Sequence, residues 1–379
     1  MKNNSRRLFG STLALLFVAT FAWAQPIKDA GPEMTTIARV DHTSVKSQGN
    51  TGTCWSFSTV SLIESQTKKS NLGEFDLSEM FIVRHIYVNK AKNYLLRLGS
   101  ARFSEGGLGN DVVNAINQYG AMPESIYSGL VLGQQSHDHS KMVDRLKAYL
   151  DALLAKPPVR EDWLVGYNAI LDDHLGKTPE TFTYREKMYT PKTFASEVLK
   201  FKSEDYVFIT SFTHHPYYKP FIIEIPDNYS NESYLNVPLN ELISLTENAI
   251  EKGYSIMWDA DVSNANFKQR NEGFAMMWKD TKATSPVNPD AEEIAYDAKL
   301  RQSLFENLTT QDDHLMHIVG LERSKGGKKF FVVKNSWGEI GPYKGYIKVS
   351  EAYFAINTVT LVVPRAAIDS SLAQKLGLK

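Results

Sequence analysis

Cys54 is the one cysteine of the 379-residue chain, and its neighbours suit a reactive thiol. The run from Val45 to Thr53 is polar and glycine-rich. After Cys54 the apolar residues Phe57, Val60 and Leu62/Ile63 recur at helical spacing, with Glu64 and Gln66 between them. The spacing puts Cys54 where a loop becomes a helix. Free N–H groups and the helix dipole stabilise a thiolate there. A nearby imidazolium would lower the thiol pKa further, toward ~3–4. Gly49 and Gly52 permit a tight loop that brings backbone close to a substrate. A lone cysteine is otherwise a small buried hydrophobe, and this context argues against that reading. Gln48 lies six residues upstream, and its amide can donate toward a point above the thiol. An oxyanion needs such a donor beside the nucleophile's own N–H, and losing one costs ~10²–10³-fold in turnover.

A thiol nucleophile needs a partner that passes its proton to the leaving amine. Two histidines compete for that role in segment 313–320, which reads as a buried strand. His314, Met316, Ile318 and Gly320 share one face; Leu315, His317 and Val319 share the other. Only one imidazole can face the cysteine.

Gln48, Gly49, Gly52, Cys54, Trp55 and Phe57, in that order, resemble the nucleophile motif of the papain-like cysteine peptidases. In that family the catalytic histidine precedes a glycine by six residues in one strand. The resemblance therefore selects His314, with Gly320, over His317. Asn335-Ser336-Trp337-Gly338 matches a second family signature. It implies that Asn335 orients the imidazole and that Trp337 shields their hydrogen bond and walls the cleft. A neutral Asn suits a thiolate–imidazolium pair, which needs orientation more than another charge. Gly106 and Gly107, before a helix over 112–119, resemble the glycines against which a substrate main chain lies extended.

Secreted papain-like enzymes usually carry a second, disulfide-bonded cysteine where Thr51 stands here. Its absence, and the long interval from Cys54 to His314, point to the bleomycin hydrolase and aminopeptidase C branch. Segment 254–262, with Trp258 and Asp261-Val262, resembles a strand of that group. In that branch a C-terminal arm enters the cleft, and its terminal carboxylate meets the substrate's amine. The resemblance thus implies aminopeptidase action on peptide or protein substrates, and a homo-oligomeric ring. Residues 364–379 are shorter than that arm, so a cysteine endopeptidase with an open cleft is the alternative. A peptide-binding protein without catalysis, and an acyltransferase using the same residues, complete the alternatives. Residues 25–53 leave no room for a papain-type propeptide.

The elements that must position these groups follow. The expected fold class is α+β, in the two-lobed papain-like form. A helical lobe carries Cys54, and an antiparallel sheet or barrel lobe carries His314 and Asn335. A helical insertion is expected at about 134–200, from Met142, Leu146, Tyr149/Leu150 and Leu153, then Trp163, Tyr167 and Ile170 beyond Pro157-Pro158. Strands are expected at 206–210, 221–225, 343–349 and 358–363, a helix at 239–252, and an exposed loop at 279–293.

The N-terminus reads as a separate object. Lys2, Arg6 and Arg7 precede an apolar stretch over 8–21, and Ala22-Trp23-Ala24 has the small-x-small form of a cleavage site. Residues 1–24 are expected to be a secretory signal peptide, which implies export to a periplasm or the medium. Cleavage would shift the formal net charge from -1 to -4 by removing three cations. The apolar stretch is short for a membrane span, so no stable anchor is expected. With 42 Lys+Arg against 43 Asp+Glu and no basic stripe, nothing advertises a nucleic-acid partner. No cofactor is expected, since His137, His139 and the pair His214-His215 lack further ligands at a recognisable metal spacing.

Overall fold

The strand His314–Ser324 is the axis of the sheet lobe. Its apolar run is flanked on one side by Ile256–Ala260 and on the other by Lys329–Lys334, both antiparallel. Met34–Arg39, a strand the apolar pattern does not announce, adds to it as well. The computed structural model describes residues 31–131, 133–280 and 286–378. The expected signal peptide lies outside them.

Among the described residues the sheet has eleven strands. Most pairings are antiparallel, but Tyr346–Ser350 meets Phe274–Ala275 in parallel, and Tyr206–Thr210 meets Ser233–Asn236 in parallel. Alternation along the strands gives the sheet two buried faces. Met257, Leu315 and Val362 belong to the core of the helical lobe. Trp258, Met316 and Leu361 belong to a second core, shared with the helices Leu239–Glu251 and Glu351–Asn357.

The helix Cys54–Lys69 lies between sheet and helices, and only Gln66, Lys68 and Lys69 escape burial. Its residues Ser56, Ser58, Thr59, Ser61 and Ser65 are small, which allows close approach from every side. Their hydroxyls need partners. Ser58 donates to the carbonyl of Cys54 at 2.8 Å, and Ser56 to that of Glu79 at 3.0 Å. The helix Glu79–Leu96 starts at Ser78, whose hydroxyl accepts the Phe81 N–H at 3.1 Å.

Segment 134–200 holds the helices Ser140–Leu154 and Trp163–Leu175. Met142, Leu146, Leu150, Tyr167, Leu171 and Leu175 complete the helical-lobe core. The segment then forms the hairpin Phe182–Tyr184 with Lys187–Tyr189, which helical periodicity does not foreshadow. The end of the chain turns away from the helical lobe. The helix Ser370–Lys375 buries Leu372 in the second core, and Leu376 and Leu378 pack there too. Lys375 pairs with Glu241 at 2.6 Å on the helix Leu239–Glu251.

Candidate active site

Cys54 is the first residue of its helix and is 7% exposed. The backbone N–H groups of Leu315 and Trp55 lie toward its sulfur and oppose the loss of thiolate stability that burial brings. Leu315 follows His314, so the sheet lobe meets the head of the helix at the residue after the predicted base. His314 Nε2 lies 2.7 Å from Asn335 Oδ1. That contact commits Nε2 and leaves Nδ1 free for a second partner. Trp337 stacks on His314, with ring centroids 4.5 Å apart and planes 30° apart, and covers this bond.

His317 is a separate case. Strand parity turns it to the helix Cys54–Lys69, where its Nδ1 meets Ser61 Oγ at 2.9 Å. Two helical turns therefore separate it from Cys54.

Residues Lys46–Gln48 run beside Ser336–Gly338. The Gln48 N–H donates to the Ser336 carbonyl at 2.8 Å, and the Gly338 N–H to that of Lys46 at 3.0 Å. The Ser336 hydroxyl donates to Gln48 Oε1 at 2.6 Å, and Gln48 Nε2 donates to the Thr51 carbonyl at 2.6 Å. One of the two amide hydrogens is thus used inside the loop. The other has no acceptor among the described residues.

Trp55 Nε1 donates to the carbonyls of Gly52 at 3.1 Å and Glu105 at 3.0 Å. This fastens the Gly106-Gly107 segment beside the nucleophile, and Gly107 lies on the Trp55 ring. The Gly106 carbonyl already accepts from Lys90 Nζ.

The electrostatics differ from the sequence-based expectation of an acidic thiol. Burial pushes the Cys54 thiol up to about 12, and Asp312 and Asp259 add to the rise. Burial also pushes His314 down to about 4, against the opposing bond to Asn335. The helix dipole, worth typically 0.3–1 kcal/mol at a surface, is smaller than the desolvation of an enclosed thiolate. Neither charge is favoured alone.

The Peptidase C1-like family model matches residues 28–377. The chain belongs to the Peptidase C1-like family. It is similar to aminopeptidase C of Streptococcus thermophilus, at 23% identity over 84% of this chain and 80% of that one. It is also similar to bleomycin hydrolase of Gallus gallus, at 21% identity over 86% of this chain and 81% of the relative. The crystal structure of pepw from Lactobacillus rhamnosis superposes with a TM-score of 0.70. That match covers 90% of this chain and 84% of the other at 18% identity, and it shows a shared α+β fold. These likenesses place the chain in the aminopeptidase C and bleomycin hydrolase branch of the papain-like superfamily.

In this Peptidase C1-like chain one positioning residue escapes the sequence motifs. Gln269, 2% exposed, accepts from Asn335 Nδ2 at 2.6 Å and donates to the Gly345 carbonyl at 3.2 Å. It fixes which way the Asn335 amide points, and so keeps Oδ1 toward His314. Replacing Gln269 with Leu leaves a buried amide N–H without an acceptor, a loss of about 1–3 kcal/mol. We expect Gln269→Leu to lower kcat about 10- to 100-fold with KM little changed. Gln269→Glu keeps an acceptor for Asn335 but loses the donor to Gly345, so it should recover only part of the loss in steady-state assays.

The exposed trio His214, His215 and Glu224 has its ligand atoms within 4.8 Å of one another. Gln302 Nε2 contacts His214 Nδ1 at 2.9 Å, which makes Nδ1 the acceptor. The His214 proton then lies on Nε2, 3.1 Å from Glu224. In this tautomer the trio is a hydrogen-bonded cluster, and Nε2 has no lone pair for a cation.

Proposed function

We propose that this chain hydrolyses peptide bonds through Cys54, His314 and Asn335, and that it acts from the amino terminus of its substrates. The observation that carries the reading is the 2.7 Å bond from His314 to Asn335, in a strand whose next residue, Leu315, meets Cys54 at the head of a buried helix. The names of its relatives, aminopeptidase C and bleomycin hydrolase, support the same direction. In this reading Cys54 gives its proton to His314 and attacks the scissile carbonyl. The oxyanion is held by the free Gln48 amide hydrogen and the Cys54 N–H. His314 protonates the leaving amine, and an acyl-enzyme remains. Water activated by His314 then releases the acid. Gly106 and Gly107 flank the substrate main chain, and Trp337 flanks the leaving group. The charged N-terminus, apolar stretch and Ala22-Trp23-Ala24 further support export as a secreted protein.

A second reading, endopeptidase action, is favoured by one observation. The described tail through Leu378 packs on the sheet face away from the helical lobe. An amine anchor must then come from elsewhere, or the cleft is open.

The test uses fluorogenic aminoacyl amides under reducing conditions, with kcat/KM followed from pH 3.5 to 8. A histidine whose pKa is lowered stays neutral to lower pH. Activity should therefore persist below pH 6 and fall as pH drops through about 4, where His314 becomes charged and can no longer take the thiol's proton. An acid limb near 6.5, the ordinary imidazole value, would remove His314 as the base in its buried setting. Absence of any thiol-dependent hydrolysis would remove the reading itself.

A further inference from the structure

Carboxyl groups gather beside the nucleophile without a part in the steps above. Asp259 is fully buried on the strand Ile256–Ala260, opposite Leu315 in register. Its parity with Met257 turns it to the helical lobe. Thr360 Oγ1 donates to Asp259 Oδ2 at 3.0 Å. Asp259 Oδ1 has no donor among the described residues, and the side chain faces the carboxyl of Asp312. Asp312 lies two residues before His314.

Asp227 approaches from a third element. A Cβ placed on Gly106 would lie 1.8 Å from Asp227 Oδ2, so the carboxylate occupies the space that a side chain would need. The loop carrying it joins Pro220–Ile222 to Ser233–Asn236 and is held firmly. Asn228 Nδ2 donates to the carbonyls of Ile223 and Glu232 at 3.2 and 3.0 Å. Asn110 Nδ2 reaches Ser230 Oγ at 3.3 Å from the helix Gly109–Tyr119. A loop of the sheet lobe is thus pinned across the cleft onto the helical lobe.

These groups repel one another's charge. Burial first, and Asp227 second, push Asp312 up to about 7. Burial, then Asp312, push Asp259 well above the usual carboxyl range. The neighbouring cations answer this charge only in part. Lys90 Nζ is spent on the carbonyls of Ser104, at 2.8 Å, and Gly106. Arg102 is more than half exposed and lies 3.8 Å from Asp227 Oδ1. Two facing carboxyls with an unanswered oxygen hold a shared proton, or a cation can take its place.

We propose that Asp227, Asp259 and Asp312 form a pocket for a positively charged group of the substrate, upstream of the bond that Cys54 attacks. In a peptide that group is the free α-ammonium, or a Lys or Arg side chain. The inference rests on peptide hydrolysis at Cys54. It supplies the anchor that the tail, packed on the far face of the sheet, does not. Asp227 stands at Gly106, beside the expected path of the substrate main chain, so a cation there is set by side chains of the cleft wall.

The experiment compares three coumarin amides on the full-length enzyme, with cleavage of either amide bond followed by chromatography: Ala-Ala with a free amine, acetyl-Ala-Ala, and acetyl-Lys-Ala. A charge-assisted contact is worth about 10- to 100-fold. The expected result is that at least one cationic peptide exceeds acetyl-Ala-Ala about tenfold or more in kcat/KM. Asp227→Asn and Asp312→Asn should each shrink that ratio about tenfold, chiefly through KM. Preference for the free amine assigns the α-ammonium; preference for acetyl-Lys-Ala assigns the side chain. Equal rates on all three peptides, or a ratio untouched by both variants, overturns the pocket. A second measurement needs no turnover. Calorimetry follows Ala-Ala amide, Lys-containing acetyl peptide and neutral acetyl peptide binding to Cys54→Ala, with Asp227 intact or replaced by Asn. If no peptide is hydrolysed, peptide hydrolysis at Cys54 fails, and this binding alone decides the pocket. Cation-selective binding lost in Asp227→Asn sustains it; equal affinities overturn it.

Discussion

Cys54→Ala should lower kcat/KM on any peptide substrate by at least about four orders of magnitude, and His314→Ala should do nearly the same. The double variant should be no worse than either single one, because nucleophile and base act as a unit. The structural reason is that each group does little without the other. The buried thiol holds its proton tightly, and the buried imidazole rejects a second one. Only the transfer between them yields a nucleophile and an acid together. The fold should survive both changes. Cys54 is the first residue of its helix and Sγ is a single atom, so its loss leaves a minor void. Circular dichroism and urea midpoints close to wild type would separate lost chemistry from lost structure. Full activity in folded Cys54→Ala would overturn the assignment of the nucleophile. Additive losses in the double variant would show that His314 and Cys54 act independently.

The candidate residues of this unit stand out in the chain because their signals are local. Gln48 to Phe57 is a continuous segment, and so is Asn335 to Gly338. The strand read at 313–320 was legible because its apolar run is long, and it continues to Ser324; the choice of His314 followed from the family's spacing to Gly320. What escaped is long-range. Gln269 stands in the polar run Lys268-Gln269-Arg270-Asn271-Glu272, with nothing local to mark it as buried against Asn335, 66 positions away. Asp259 reads as one polar residue in an apolar strand, and its meeting with Asp312 and Asp227 needs three elements to assemble. Of the loop expected at 279–293, residues 281–285 lie outside the described residues, and 286–293 are more anchored than their composition suggests. Val287 is buried, and Glu293 accepts from the Met277 N–H at 2.8 Å and the Ser350 hydroxyl at 2.6 Å. The thiol's electrostatics escaped for a related reason. A helix dipole can be read from a helix start, but desolvation depends on everything that closes over it.

Glu64 shows the same limit, and it carries the largest expected effect on stability. Helical spacing leaves it between apolar neighbours, where a carboxylate is ordinarily solvated. It is instead 1% exposed, at the centre of a polar network under the active site. Thr43 Oγ1 donates to Oε2 at 2.5 Å, and the Leu77 N–H donates to Oε1 at 2.9 Å. Lys46 Nζ lies 3.8 Å from Oε1 and 2.7 Å from Glu79. Lys334, the residue before Asn335, donates to Thr43 at 3.1 Å and Ser61 at 2.8 Å. Burial pushes Lys334 down to about 8, and Glu64 is the leading group that opposes the shift. Removing one member of such a network leaves uncompensated charge in the interior, at a cost of about 3–5 kcal/mol. We therefore expect Glu64→Leu to lose about 3–5 kcal/mol in urea unfolding. Glu64→Leu combined with Lys334→Met should regain part of that loss, because the orphaned ammonium goes too. The network ties the nucleophile helix to the strand that ends at Asn335, so its failure should also loosen the register between Cys54 and His314. A change below about 0.5 kcal/mol, as for an ordinary surface site, would mean that water reaches Glu64 and that the lobes are held by their apolar cores alone.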